Sequence, residues 1–183
     1  MKRLFDICSA SIALVLCWPL LLFVALLIPL YDGGPVLFRQ TRLGRGMRPF
    51  SVYKFRTMQD GEITRIGYWL RATGIDELPQ FVNVLRGEMS GVGPRPLTEQ
   101  DVVRLGWDQR GAAARFRARP GMTGLAQLYA GTSARRSLAC DRLYCQHPNV
   151  FFDASIITWS VLINVLGKQR VRRWLARRRT GSA

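Results

Sequence analysis

Acidic residues are scarce in this chain. Only 12 of its 183 residues are Asp or Glu, against 27 Lys and Arg, which leaves a net charge of +15. An imbalance of that size points to an anionic partner, whether nucleic acid, an acidic lipid surface or a phosphorylated substrate, and carries no information about fold. Cysteine is also sparse. Cys8, Cys17, Cys140 and Cys145 avoid C-x-x-C spacing and two of them lie in an apolar run, so they are assigned to packing as reduced thiols rather than to a disulfide framework. Cys140, Cys145 and the single histidine, His147, lack a fourth ligand and metal-site spacing, which removes the case for a zinc site. Nor is there length for a second core: 183 residues make one domain.

What the chain does have, directly after Lys2, Arg3 and Asp6, is an uncharged apolar run from Ile7 to Tyr31. Such a run is long enough to cross a hydrocarbon core of about 30 Å as a helix. No small-x-small cleavage site follows it, so a retained membrane helix is expected rather than a signal peptide. Trp18 and Pro19 interrupt the run near its middle, where proline costs a helix about 3 kcal/mol unless a kink is built in. Basic residues flank both ends, with Lys2 and Arg3 before and Arg39, Arg42, Arg45 and Arg48 after, and the positive-inside rule resists placing either flank outside. A re-entrant helix bent at Trp18 and Pro19 satisfies both observations; a kinked spanning helix is the alternative.

The turn Asp32-Gly33-Gly34-Pro35 leads into two short strand patterns, Val36 to Gln40 and Phe50 to Phe55, which predict a β-hairpin. Lys54 and Arg56 fall on one face of the second strand, a cationic pair suited to phosphate or to solvent. Gln59 to Leu70 is a polar connector into a helix, and Glu99 to Phe116 is a surface helix of mixed charge. Between them lies an adjacent carboxylate pair, Asp76 and Glu77, followed by Pro79. Proline is tolerated in the first turn of a helix, so a helix start near Ile75 or Asp76 is predicted; a capping box from Thr73 to Asp76 would start it earlier and leave Pro79 as a kink. Either way the pair sits at a helix N-terminus, whose unpaired N–H groups favour anions and should keep Asp76 ionised if a cation offsets the repulsion of a bound phosphate. Taken alone, the pair would be a helix cap and a solvated charge.

The surrounding string changes that reading. IDELPQFVNVLRGEMSGVGPRP resembles the signature of the bacterial sugar transferases, the monotopic phosphoglycosyl transferases that begin glycan assembly on a polyprenyl phosphate. DGGPVLFRQTRLGRG and YKFRTM resemble the same family, and Arg119-Pro120-Gly121-Met122-Thr123-Gly124-Leu125-Ala126-Gln127 is similar to its R-P-G-x-T-G-W-A-Q motif, with Leu125 in place of the usual Trp. The connector before Arg71 is shorter than in many relatives. The resemblance runs from Lys2 to about Asn164 and corresponds to a minimal catalytic form.

The resemblance implies an enzyme at the cytoplasmic face of the bacterial inner membrane that moves a sugar-1-phosphate from a UDP-sugar to polyprenyl (undecaprenyl) phosphate and releases UMP. Asp76 is then the nucleophile of a covalent aspartyl phosphosugar intermediate, and Glu77 supports it; both are candidate ligands of Mg²⁺ or Mn²⁺. Lys54, Arg71, Arg95, Arg119 and Asp141 are the candidate substrate and phosphate contacts. Gly121 and Gly124 would permit close backbone approach to a ligand. The expected fold class is α+β: mostly helical, with a small β-hairpin, a re-entrant membrane helix at the N-terminus and an interfacial amphipathic helix at the C-terminus. The expected division is a membrane-embedded helix over 1–31, a catalytic domain over 32–167 and a basic tail over 168–183. The tail mixes Trp174 and Leu175 with arginines, as membrane-surface segments do, and RNA binding is its rival. The competing function is a membrane-anchored basic module that binds RNA or acidic lipid without chemistry; otherwise no nucleic-acid partner is expected. Replacing Asp76 by Asn separates the two, because binding alone needs no carboxylate.

Overall fold

The computed structural model describes residues 1–107, 110–129, 133–147 and 149–166. The basic tail expected over 168–183 lies outside the described residues. Among the described residues the architecture is mostly helical, with three separate two-stranded sheets.

Helix α1 runs from Lys2 to Tyr31 and contains Pro19 and Pro29. It is the one described helix long and apolar enough to cross a membrane. Its burial is confined to its two ends. Asp6 and Ala10 near the start, and Val24 and Ile28 near the finish, are buried, while Ile12, Val15, Leu16, Trp18, Leu22 and Phe23 between them are exposed. Ala10 packs with Val52, Val84 and Met89, and Val24 and Ile28 pack with Phe55 and Leu70.

The hairpin pairs β1 (Leu37–Leu43) with β2 (Pro49–Phe55) in antiparallel register, Leu37 opposite Phe55 and Leu43 opposite Pro49. Its strands reach further than the alternating pattern predicts. The extra length has a cause: the Leu43 N–H donates to the Leu97 carbonyl at 2.8 Å, which holds the end of β1 against a distant segment. The tight turn between the strands places Gly46 and Met47 at positive φ. Within the connector, β3 (Met58–Gln59) and β4 (Glu62–Ile63) form a second small hairpin, and α2 (Arg65–Thr73) begins with the Thr64 hydroxyl accepting from the Gly67 N–H at 3.0 Å.

A 3₁₀ turn over Ile75–Gln80 and the short α3 (Phe81–Arg86) come next, followed by β5 (Ser90–Val92). Strand β5 pairs in parallel with β6 (Gly121–Thr123), Ser90 opposite Gly121 and Val92 opposite Thr123. The backbones here are almost in contact. A Cβ on Gly121 would fall 2.0 Å from the Gly93 nitrogen, and one on Gly124 would fall 2.1 Å from the Gly93 carbonyl oxygen. Gly121 and Gly124 are therefore already demanded by another stretch of backbone, the Gly93 segment.

The single helix expected over Glu99 to Phe116 is divided. Its first part, α4 (Glu99–Arg104), carries a capping box between Thr98 and Asp101, and the chain then turns through Gly106 at φ +64 into a 3₁₀ stretch over Arg110–Arg117. The second part is not a surface element: Trp107, Ala112, Arg115 and Phe116 are buried. Helices α5 (Leu125–Tyr129), α6 (Ala134–Gln146) and α7 (Val150–Leu166) complete the fold.

A buried polar knot joins the start of α1 to this later half. Asp6, 1 % exposed, accepts from the Ser90 hydroxyl at 2.8 Å and from the Gly91 N–H at 3.0 Å. Lys2 donates to Asp153, to the Tyr144 hydroxyl at 2.9 Å and to the Val92 carbonyl at 3.2 Å. The Tyr144 hydroxyl lies 2.8 Å from both Asp153 and the Val92 carbonyl. Burial and the hydrogen bond to Asp153 push its ionisation far above the tyrosine range, so it remains a donor.

Candidate active site

The position of the carboxylate pair follows from two residues that end helices. Gly74, at φ +75, terminates α2 in the left-handed conformation, and its N–H closes back onto the Leu70 carbonyl. Pro79 has no N–H to continue an α-helix, and the chain makes a 3₁₀ turn before α3 begins at Phe81. That turn starts at Ile75, the start predicted from Pro79. Thr73 does not form the alternative capping box; its hydroxyl donates to the Trp69 and Leu70 carbonyls within α2.

Asp76 and Glu77 occupy the first turn of this 3₁₀ element and are both half-buried. Lys54 reaches across from β2 and donates to the Glu77 carboxylate at 2.5 Å. Arg71, in the last turn of α2, donates through Nε to the Thr57 hydroxyl at 2.8 Å. Burial, and after it the neighbouring Glu77 charge, raise the Asp76 pKa above that of an ordinary aspartate, while Lys54 and Arg71 pull it down without reversing the shift. The direction is opposite to the one expected from a helix N-terminus. Six residues of 3₁₀ turn give little aligned dipole, so desolvation and like charge win.

Glu77, though not Asp76, lines a cleft together with Arg42, Lys54, Gln80, Arg95 and Gln127 and the apolar or small Val52, Met122 and Gly121. Val52 and Lys54 share it because they are two apart on β2. Arg42 also pairs with Asp101 at 3.3 Å. Gln127 donates to the Met122 carbonyl at 3.3 Å and keeps its buried Oε1 without a partner, leaving an acceptor at the cleft.

The structure thus brings Lys54, Arg71 and Arg95 to the carboxylate pair. Arg119 is elsewhere. It lines a neighbouring cavity with Arg45, Arg48, Phe50, Gly87 and Glu88. Asp141 is 2 % exposed and ion-paired with Arg115 at 3.0 Å, so its carboxylate faces a guanidinium rather than the cleft. Arg56, grouped with Lys54 by the strand period, lies just past the end of β2 and donates to the Asp32 and Gly33 carbonyls at the end of α1. Arg42, Gln127 and Arg115 did not stand out in sequence. Arg42 was one of several arginines flanking the apolar run, Gln127 closed a motif valued for its arginine and glycines, and Arg115 sat in an alanine-rich stretch that resembles a solvated helix.

The residues present fit a hydrated divalent ion. Mg²⁺ uses one or two protein carboxylates and takes its remaining oxygens from water and phosphate, and Asp76 with Glu77 is a donor set of that kind. Among the described residues no group of three or more His, Cys, Asp or Glu side chains forms an all-protein cage.

A family model described as bacterial sugar transferase matches residues 1–167. The chain is 43% identical over 181 residues to the UDP-glucose:undecaprenyl-phosphate glucose-1-phosphate transferase of Caulobacter vibrioides, covering 87% of this chain and 68% of that protein. It is 42% identical to the exopolysaccharide production protein PSS of Rhizobium leguminosarum bv. phaseoli, covering 88% and 94% respectively. It is 39% identical to the UDP-N-acetylgalactosamine-undecaprenyl-phosphate N-acetylgalactosaminephosphotransferase of Aeromonas hydrophila, covering 85% of this chain but 41% of that protein. The names of the first and third share undecaprenyl phosphate and differ in the sugar.

Proposed function

Because the chain belongs to the bacterial sugar transferase family, we propose that it transfers a sugar-1-phosphate from a UDP-sugar to undecaprenyl phosphate, through a covalent intermediate on Asp76. The chain is an enzyme, and the observation that carries the mechanism is the carboxylate pair bracketed by cations: Lys54 on Glu77, Arg71 acting on Asp76, and Arg42 and Arg95 on the cleft wall. A diphosphate bound there meets positive charge on both sides of a carboxylate.

In the first step an Asp76 oxygen attacks the phosphorus next to the sugar, forming an acyl phosphate as the bond to the bridging oxygen breaks and UMP departs with the electron pair. In the second, an oxygen of the lipid phosphate attacks the same phosphorus and Asp76 leaves as carboxylate. The bond between the sugar and its oxygen stays intact throughout. Adjacent residues point about 100° apart in a helical turn, so Asp76 and Glu77 cannot both stand in line behind one phosphorus. Glu77, already engaged by Lys54, orients and supports. Mg²⁺ or Mn²⁺, held by Asp76 and Glu77, supplies neutralisation of phosphate charge when bound. The surrounding arginines perform the same service from the protein side, and the raised Asp76 pKa is lowered again as cations close in.

The same reading places α1 in the cytoplasmic leaflet of the inner membrane, entering and leaving by one face. Its burial supports this. Both ends pack onto the same body, Ala10 in a cluster with Val84 and Met89, and Val24 and Ile28 in a cluster with Phe55 and Leu70. A bend at Trp18 and Pro19 would leave the exposed residues between them, Val15, Leu16, Trp18, Leu22 and Phe23, as the part sunk in lipid. The apolar α7, with Phe151, Val161 and Leu162 exposed, would lie at the interface beside it.

The deciding experiment mixes purified enzyme with radiolabelled UDP-sugars and no lipid acceptor. A burst of UMP and label retained on Asp76 are expected; Asp76→Asn should give neither, and Glu77→Gln should label more slowly. Turnover that strictly requires both substrates together, with no trapped adduct at any acceptor concentration, overturns the covalent route in favour of direct transfer.

A further inference from the structure

Pro94-Arg95-Pro96 is a segment that cannot hold itself in place. Neither proline has an N–H, so two of its three residues offer no donor to a backbone ladder. Its carbonyls are held from outside instead. The Pro94 carbonyl accepts from the Gly121 N–H at 2.9 Å, the Arg95 carbonyl from the Arg115 guanidinium at 2.9 Å, and the Pro96 carbonyl from the Arg42 guanidinium at 3.4 Å.

Of these donors, Arg115 is the costliest to maintain. It is 3 % exposed, its Nε donates to Asp141 at 3.0 Å, and its guanidinium lies over the Trp107 ring at 4.8 Å and the Phe116 ring at 5.2 Å. A buried ion pair contributes little to stability compared with apolar residues of the same volume. Two charges kept out of water here therefore call for another reason, and the geometry supplies it. With φ fixed at Pro94 and Pro96, a hydrogen bond to the carbonyl between them sets the one flexible residue of the segment, and so sets where the exposed Arg95 side chain enters the cleft opposite Lys54 and Glu77.

We infer that Arg115, oriented by Asp141, is a positioning residue that aims Arg95 at the donor phosphates from behind the Pro-Arg-Pro turn. Asp141 on this account touches no substrate; it fixes the guanidinium fork so that one edge is left for the Arg95 carbonyl. Lysine cannot replace Arg115, since a single ammonium cannot address the Asp141 carboxylate and the Arg95 carbonyl with the same fixed fork.

The inference rests on the reading of Arg95 as a phosphate grip, and a double-mutant cycle tests the two separately. Full-length enzyme in detergent is assayed for UMP release with a UDP-sugar that it turns over, as Arg95→Ala, Arg115→Lys and the pair combined, with thermal melting as the folding control. Arg115→Lys is expected to lower kcat/KM by ten- to a hundredfold, the scale of a misplaced contact. The combined variant should lose little beyond Arg95→Ala alone, because the strut acts only through Arg95. A second route removes the buried charges together: Arg115→Met with Asp141→Leu should keep a melting temperature close to the parent's and still lose activity to the same degree. Losses that multiply, or full activity in a folded Arg115→Lys or Arg115→Met/Asp141→Leu protein, overturn the strut while leaving Arg95 its role. Full activity in Arg95→Ala overturns both.

Discussion

Asp76, the proposed nucleophile, illustrates how a carboxyl can be set against the fold that carries it. Its pKa is raised by burial and by Glu77, so the folded protein binds its proton more tightly than the unfolded chain does. Between the ordinary aspartate pKa of 3.8 and the raised value the native state holds more protons, and stability contributed by this group falls as pH rises through that window. Asp76→Asn is accordingly expected to melt slightly above the parent at pH 7, the effect being small for a carboxyl still half in water, and the difference should vanish near pH 3. Melting curves of the two proteins at both pH values decide it; a variant that is less stable at pH 7 would assign the residue a structural role. For the same reason the acid limb of kcat/KM for the UDP-sugar, which reports the free enzyme, should lie above that of a normal aspartate.

At the scale of elements, the sequence was informative wherever the information was local. Proline at position 79 marked the start of the turn under the carboxylate pair, and the strand patterns on either side of Gly44 to Arg48 marked the hairpin. The chain was opaque where a residue's meaning comes from a partner far along it. Arg115 among alanines looks solvated until Asp141, 26 positions later, is brought against it, and Gly121 looks like a ligand cradle until Gly93 is packed on it. Helix α1 sits between these cases, since its composition makes it long and apolar enough to cross a membrane and only its two packed ends speak to its path. If it bends at Pro19, cysteines introduced at Met1 and at Asp32 will both be shielded from an impermeant maleimide in sealed cells. Labelling of the Met1 position from outside would establish a spanning helix. Pro19→Leu, which removes the kink and restores a backbone donor, should shift the population toward that spanning form.

Across the whole molecule, the hydrogen bonds of α1 reach late into the chain: Asp6 finds Ser90, and Lys2 finds Tyr144 and Asp153, the last at a separation of 151 residues. A ribosome delivers these groups in order. At roughly 5–20 residues per second, the charged side chains of Lys2 and Asp6 wait for many seconds beside the membrane before their partners emerge. The early chain therefore has an anchor without an address: lipid can receive the apolar run at once, whereas its final seating depends on α7 closing the knot. A chain truncated at residue 149 keeps Asp76, the cleft and all the described strands, yet leaves Lys2 and Tyr144 without the Asp153 carboxylate. Such a fragment should enter membranes as well as the full chain does, and should lose protection of its N-terminal residues in hydrogen exchange and most of its UMP release. The last described helix is thus the latch on the first, and α1 is seated only once the chain beyond Asp153 has been made.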